Sequence, residues 1–355
     1  MRVYSCGHCG NPLYFENSEC LNCHHHVGFD PATLTMMTLE DDKDYRYCKN
    51  AEYGVCNWLV PVSSGDTYCV ACAMNRVIPT LTSDQNRARW RSLEVAKHRL
   101  VYSLLRLRLP LRVVHGGEEE AIVFDFKEDV STAERVMTGH DHGIITINIE
   151  EADEAERVRH KLDLGERYRT LLGHFRHEVG HYYWDALVSD NDKVIERYRK
   201  LFGDERQDYG DALAAYYAAG APADWNQHFI SPYATSHPWE DWAETWAHYL
   251  HMMDTLETAW AFGIRIDPVE ADGLKAAITQ EPYDRVNFDR LIKRWLPLCF
   301  AVNSLNRSMG HADFYPFILS AAVIEKLRFI HELCLAVAAA GGTKEVTSGA
   351  ASGNA

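Results

Sequence analysis

Eight cysteines in the first 72 residues restrict what the N-terminal part of this chain can fold into. They form two groups of four: Cys6, Cys9, Cys20 and Cys23, then Cys48, Cys56, Cys69 and Cys72. In the first group, two Cys-x2-Cys pairs stand ten residues apart, the spacing at which two knuckles direct four thiolates at one zinc ion. This predicts a zinc ribbon with a structural zinc. The second group contains one such pair, and we predict a second structural zinc there, although the sequence leaves pairing between the groups open.

The composition is that of a globular protein, and the lack of membrane and secretory signals predicts that it stays in the cytoplasm. The chain has 355 residues, of which 46% are hydrophobic and 25% charged, so a packed core is expected. It contains no apolar run of 18 residues, which argues against a membrane-spanning helix and a membrane partner. A cysteine pair precedes any apolar run, so no secretory signal is expected. In the cytosol thiols stay reduced, and clustered cysteines then favour metal over disulfides.

The residue pattern changes near residue 80, which predicts a zinc-ribbon region over 1–80 and a second domain over 81–340. Apolar residues three and four apart predict a basic helix within 81–110. We interpret this helix as a solvated connector docked on the acidic body of the protein, and a phosphate-binding face is the alternative. β-Branched residues predict strands within 111–126 and 143–149, and helices dominate to 340. The tail, 341–355, lacks large core-forming residues and is predicted to be disordered.

The run His177-Glu178-Val179-Gly180-His181 contains the candidate zinc-binding and catalytic residues of the second domain. Residues four apart share one face of a helix, so the two imidazoles can bind one zinc ion while Glu178 reaches a water beside it. Apolar neighbours at helical spacing predict a buried helix; the alternative is a core helix whose histidines bind no metal. Gly180 costs about 1 kcal/mol relative to Ala inside a helix. We therefore expect another element to pack closely against it.

A third ligand must come from elsewhere, because no histidine lies between His181 and His228. The segment Ser236–His248 predicts a helix that starts at Pro238, followed by acidic residues in its first turn. Carboxylates of this segment are the candidate ligands: Glu240, Asp241 and Glu244.

The pattern HExxH followed by Glu-x-x-Ala-x-x-aromatic-Ala is similar to that of gluzincins. The runs GHFRHEVGHYYW, FGDE and SPYATSHPWEDWAETWAHYLHMMDTL resemble the zinc-binding metallopeptidases of bacteria that carry an N-terminal zinc-ribbon domain. The resemblance covers nearly the whole chain. It implies an α+β fold, with zinc-ribbon modules followed by a mainly helical, zincin-like metallopeptidase domain that contains a small β-sheet.

The resemblance also implies a catalytic zinc held by His177, His181 and Glu240. Glu244 would hydrogen-bond a ligand imidazole and fix its tautomer. Glu178 would act as general base in the hydrolysis of a protein or peptide, with endopeptidase activity.

Two residues before the predicted ligand helix, Tyr233 and His237, are candidates for the donor that stabilises the oxyanion. Lethal-factor-like gluzincins use a Tyr at a similar upstream place, but either residue could instead serve packing or capping. His174, one turn before the motif, is expected to support the site rather than bind metal. The strand ending at Ile149 resembles the edge strand on which zincins align an extended substrate.

Two other functions compete with this hypothesis. One is a nucleic-acid-associated protease tethered by the zinc ribbon and the basic helix. The net charge of −15 argues against it, because an acidic body repels nucleic acid. The other is a zinc-stabilised adaptor without catalysis. Glu178 argues against the adaptor, since a binding module needs no general base.

Overall fold

The computed structural model describes residues 1–39, 44–115, 118–129, 136–154 and 170–340. Within these ranges the chain forms two compact units. The cysteine-rich unit is built mainly from Arg2–Leu111 and Ala121–Glu156, and the helical unit from Arg112–Glu120 and Arg157–Ala336. The tail predicted to be disordered, 341–355, lies outside the described residues.

Short antiparallel strand pairs build the N-terminal part of the cysteine-rich unit. The pairs are β1 (Tyr4–Ser5) with β2 (Pro12–Leu13), β3 (His26–Asp30) with β4 (Thr35–Leu39), and β5 (Tyr45–Tyr47) with β6 (Leu59–Pro61). Phe29 is buried among them, with its ring centroid 4.8 Å from those of Phe15 and Trp58. Two-stranded sheets are marginal alone, so bound metal would contribute much of their stability.

The chain continues through a long helix into a four-stranded sheet. The next elements are β7 (Asn75–Val77), α1 (Asp84–Arg106), the two-stranded sheet β8 (Arg112–His115) and β9 (Glu118–Ala121), then β10 (Val123–Lys127), β11 (Gly139–Asp141) and β12 (Ile144–Asn148). The sheet has the order β11-β12-β10-β7. β10 runs parallel to β12 and β7, and β11 is antiparallel to β12.

α1 is a core helix of the cysteine-rich unit, where the sequence predicted a solvated connector docked on the acidic body. The Ser83 hydroxyl caps it by accepting the Asn86 backbone N–H. Trp90 and other apolar residues of its stripe are fully buried. Lys97, which interrupts the stripe, is also buried and pairs with Glu94 at 2.9 Å. The imperfect amphipathicity of this helix therefore reflects a buried ion pair.

β12 is an interior strand, so the prediction of a substrate-aligning edge strand there is wrong. It pairs with β10 along its full length and with β11 on its other side, from Ile144 to Thr146. In the described part of this sheet the edges are β11 and β7. A substrate cannot add beside β12 where β11 already occupies its hydrogen-bonding groups.

The expected α+β architecture is confirmed, because the cysteine groups precede a mostly helical domain with small sheets. The elements of the helical unit are α2 (Leu171–Trp184) with a π-helical turn (Asp185–Ser189), α3 (Asp192–Phe202), α4 (Tyr209–Ala219), α5 (Pro238–Ala261), β13 (Arg265–Ile266) paired with β14 (Ala276–Ala277), α6 (Phe288–Ser308) and α7 (Ala321–Ala339). Among the described helices, none combines the length and apolar character needed to span a membrane.

α2 and α5 pack tightly against each other at Gly180, which confirms the prediction of a closely packed neighbour. A Cβ atom on Gly180 would lie 3.1 Å from Ala243 Cα and 3.3 Å from the Trp246 side chain. The Trp242 indole N–H donates to the Gly180 carbonyl oxygen at 2.8 Å. The missing side chain thus lets the two backbones approach. This contact brings the histidine face of α2 opposite the first turns of α5.

Candidate active site

His177, His181 and Glu240 converge between α2 and α5. Their ligand atoms all lie within 4.8 Å of one another, and all three side chains are buried. His177 Nε2 is 3.0 Å from Glu240 Oε2, and His181 Nε2 is 3.6 Å from Glu240 Oε1. Ligands of a tetrahedral zinc, bound at about 2.0–2.1 Å, lie about 3.3 Å apart. The three side chains therefore have the spacing of zinc ligands.

Glu244 fixes the ring of His177. Its Oε1 atom lies 2.7 Å from His177 Nδ1, and the Ser231 hydroxyl donates to its Oε2 at 2.6 Å. Burial raises the pKa of Glu244, but the hydrogen bond and charge of His177 outweigh it and lower the pKa to about 2. The carboxylate can only accept, so Nδ1 carries the hydrogen and Nε2 faces Glu240.

Glu240 presents an oxygen that suits a cation. The residue is 1% exposed, and among the described residues no donor is aligned with its Oε2 for a hydrogen bond. Burial raises the pKa of Glu240, but the imidazoles of His181 and His177 outweigh it and lower the pKa to about 2. The buried Glu240 carboxylate faces the Nε2 atoms of both imidazoles, and a cation bound between them would offset the cost of burying its charge. A zinc ion fits this donor set of two nitrogens and one oxygen.

Asp241, the third carboxylate considered from its spacing, points elsewhere. Lys326 Nζ donates to Asp241 Oδ2 at 2.5 Å and to the His228 carbonyl oxygen at 2.7 Å. Burial raises the pKa of Asp241 to about 7, although Lys326 opposes this shift. The geometry therefore separates the three carboxylates. Glu240 lies with the two imidazoles, Glu244 lies behind His177, and Asp241 lies in a buried ion pair.

Glu178 lies beside the histidine pair and is held by His174. His174 Nε2 is 3.1 Å from Glu178 Oε1, one helical turn away. Burial raises the pKa of Glu178, but the hydrogen bond and charge of His174 outweigh it and lower the pKa. The side chain is therefore a carboxylate and can accept a proton.

The two candidates for an oxyanion donor differ in the structure. His237 Nδ1 accepts the Trp239 backbone N–H at 3.0 Å, and its Nε2 donates to the Gln207 carbonyl oxygen at 3.2 Å. Both ring nitrogens are thus used, and His237 takes the alternative role of a capping residue for α5. The Tyr233 ring centroid lies 6.1 Å from that of His177, so Tyr233 remains beside the site.

Tyr209 is a site residue that the sequence did not reveal. Its hydroxyl donates to Glu240 Oε1 at 2.7 Å. Tyr209 begins α4, with the Asp208 side chain as N-cap. A capping signal in the sequence can mark the helix start, but no spacing rule connects this residue to Glu240 on α5.

Comparison with known proteins shows that two protein families match this chain. A family described as "Putative zinc-binding metallo-peptidase" matches residues 86–333, and a zinc-ribbon domain matches residues 3–83. The chain belongs to this metallopeptidase family, as the resemblance predicted. Proteins of Mycobacterium bovis and Mycobacterium tuberculosis, each named only as uncharacterized, are 41% identical over 331 residues, which cover 93% of this chain and 94% of theirs. No solved structure matches.

Proposed function

We propose that this protein is a gluzincin-like endopeptidase that uses zinc held by His177, His181 and Glu240. The observation that carries the proposal is the convergence of two imidazole Nε2 atoms and the buried Glu240 carboxylate, with Glu178 on the same helix as the two histidines. Bound there, zinc would supply Lewis acidity, which polarises the scissile carbonyl and activates water for attack near neutral pH.

The side chains around this position have separate proposed roles in the reaction. Glu178 accepts the proton of the attacking water and passes it to the leaving amine. His174 orients Glu178 through the 3.1 Å contact, and Glu244 keeps His177 Nε2 turned toward the site. Tyr233 is the proposed donor to the developing oxyanion.

A protein or peptide is the proposed substrate, and the contacts of α1 argue against nucleic acid. Arg89 pairs with Asp153 at 2.6 Å, and Arg99 pairs with Glu16 at 2.6 Å. These contacts reduce the positive charge that α1 can offer to phosphates. We place the enzyme in the cytosol, where both cysteine groups stay reduced and can bind zinc.

A peptide library tests the proposal. The zinc-loaded full chain is incubated with peptides whose termini are free or blocked, with and without a chelator. We expect cleavage of internal bonds in both sets, loss of cleavage with the chelator, and recovery when zinc is restored. Cleavage that persists after zinc is removed from the histidine site would contradict the proposal. Absence of cleavage by the zinc-loaded chain in the whole library would favour the adaptor.

A further inference from the structure

α1 contacts the second cysteine group directly. His98 Nε2 lies 3.3 Å from Cys56 Sγ and 3.9 Å from Cys72 Sγ. Glu94 Oε2 lies 3.8 Å from Cys72 Sγ. Both α1 residues fall outside the zinc-ribbon match at residues 3–83. The surroundings of this cysteine group therefore extend beyond the zinc ribbon.

The four sulfurs of this group are arranged as zinc ligands. The Sγ atoms of Cys48, Cys56, Cys69 and Cys72 lie within 4.8 Å of one another, and that of Cys56 is 3.8 Å from that of Cys69. Four sulfurs around zinc, at bonds of about 2.3 Å, lie about 3.8 Å apart. His98 and Glu94 contact the Cys56 and Cys72 side of this group.

His98 is held in one orientation. Its Nδ1 atom lies 2.6 Å from the Glu94 carbonyl oxygen, which can only accept, so Nδ1 donates. The residue is 4% exposed, and its ring packs edge-on against Trp58 at 4.9 Å between centroids. These contacts direct Nε2 at the two sulfurs. A donor bond from the second ring nitrogen to a carbonyl is also how histidines at metal sites are usually oriented.

Glu94 is fixed by three donors. Its Oε1 atom accepts hydrogen bonds from Trp90 at 3.0 Å, Asn75 at 2.7 Å and Lys97 at 2.9 Å. Its Oε2 atom is left facing Cys72. Glu94 and Lys97 are fully buried, so the network depends on good geometry to offset the cost of burying charge. It connects α1, β7 and the second cysteine group.

We propose that His98, oriented by the Glu94 carbonyl, is part of the second metal site, and that zinc bound by its four cysteines holds α1 in the cysteine-rich unit. Without an ion, no bond keeps the four sulfurs together, and the surface against which His98 packs is lost. By linkage, the contact of His98 with the two sulfurs in turn increases the affinity of the site for zinc. This inference is independent of peptidase activity.

Hydrogen exchange of the full chain tests the first half of the proposal. Cys69→Ser removes a thiolate without replacing Cys72, which itself contacts α1. We expect the amides of Asp84–Arg106 to exchange at least about tenfold faster in this variant, because α1 loses its packing surface. Cys9→Ser, in the first cysteine group, is the matched control and should leave these amides within about twofold of the parent. Equal exchange in the two variants would overturn the proposal.

Zinc release tests the second half. In the Cys9→Ser background, after a mild chelator has emptied the histidine site, the remaining zinc reports the second cysteine group. We expect His98→Ala to speed its release about 10–100-fold, the range usual for residues that support metal ligands. Ser92→Ala, at an exposed position of the same helix, is the control and should not change the rate. Parent-like release from a folded His98→Ala chain would overturn the proposal.

Discussion

His177 Nδ1 lies 2.7 Å from Glu244 Oε1, and this hydrogen bond joins the two helices that carry the candidate zinc ligands. It crosses 67 positions of sequence. One carboxylate of α5 thereby orients a ring of α2, while Glu240, one helical turn earlier, faces the other nitrogen of that ring. The packing of α2 against α5 at Gly180 makes both contacts available at once.

Replacing these two carboxylates separates their proposed roles. Glu240→Ala removes a ligand, so zinc affinity and peptidase activity should both fall steeply. Glu244→Ala should reduce zinc affinity more mildly, by about 10–100-fold, because it only frees the His177 ring. Competition with a chromophoric chelator measures both affinities. If Glu244→Ala loses zinc while Glu240→Ala keeps it, the two assignments must be exchanged.

Tyr209→Phe tests whether the Tyr209 hydroxyl, which donates to Glu240, supports zinc binding by this carboxylate. Removing this donor leaves Glu240 Oε1 without its 2.7 Å hydrogen bond, so we expect zinc affinity to fall by up to about tenfold. Tyr217→Phe, on the same helix and 60% exposed, is the matched control. Both affinities are measured by chelator competition. Equal zinc affinity in the two variants would show that Tyr209 does not act through Glu240.

Gly180→Ala should destabilise the fold, because the new methyl group would press on Ala243 and Trp246 of α5. Overpacking of this kind costs roughly 1–3 kcal/mol in the free energy of unfolding. Gly210→Ala, at an exposed position of α4, is the control and should gain up to about 1 kcal/mol from helix propensity. Denaturant titration measures both changes. A Gly180→Ala chain as stable as the parent would contradict the close approach of the two helices.

Metal content should be about three zinc ions per chain, two in the cysteine groups and one at the histidines. Mild chelation should remove the histidine-site zinc first, because a site open to water exchanges faster than a closed thiolate cage. Elemental analysis before and after chelation measures both. A value near one in the untreated protein would contradict the two structural sites.

Local spacing made part of the site predictable. His177 and His181 lie on one helix, and Glu240 and Glu244 on another, so the four-residue period of a helix was enough to place each pair on one face. Gly180 indicated the close contact because glycine is costly inside a helix. These features depend on near neighbours in the sequence.

Contacts between distant segments were not predictable. Tyr209 reaches Glu240 from the start of a different helix, and Glu94 reaches Cys72 from outside the zinc ribbon. The edge position of β12 was predicted from a resemblance to zincins. A strand pattern does not reveal the neighbours of a strand, and pairing with β10 and β11 follows from sheet topology. The sequence does not distinguish a catalytic role of His237 from a capping role, whereas its hydrogen-bond partners in the structure indicate capping.

The most direct test of the proposed function is the activity of Glu178→Gln, measured together with its zinc content. The amide keeps the shape of the side chain but cannot accept the proton of water. The variant should fold, retain zinc at the histidine site, and cleave the best library peptide slower by a factor on the order of 10²–10⁴. Cleavage at the parent rate by the zinc-loaded variant would contradict the role of Glu178 as general base, and with it the proposed mechanism.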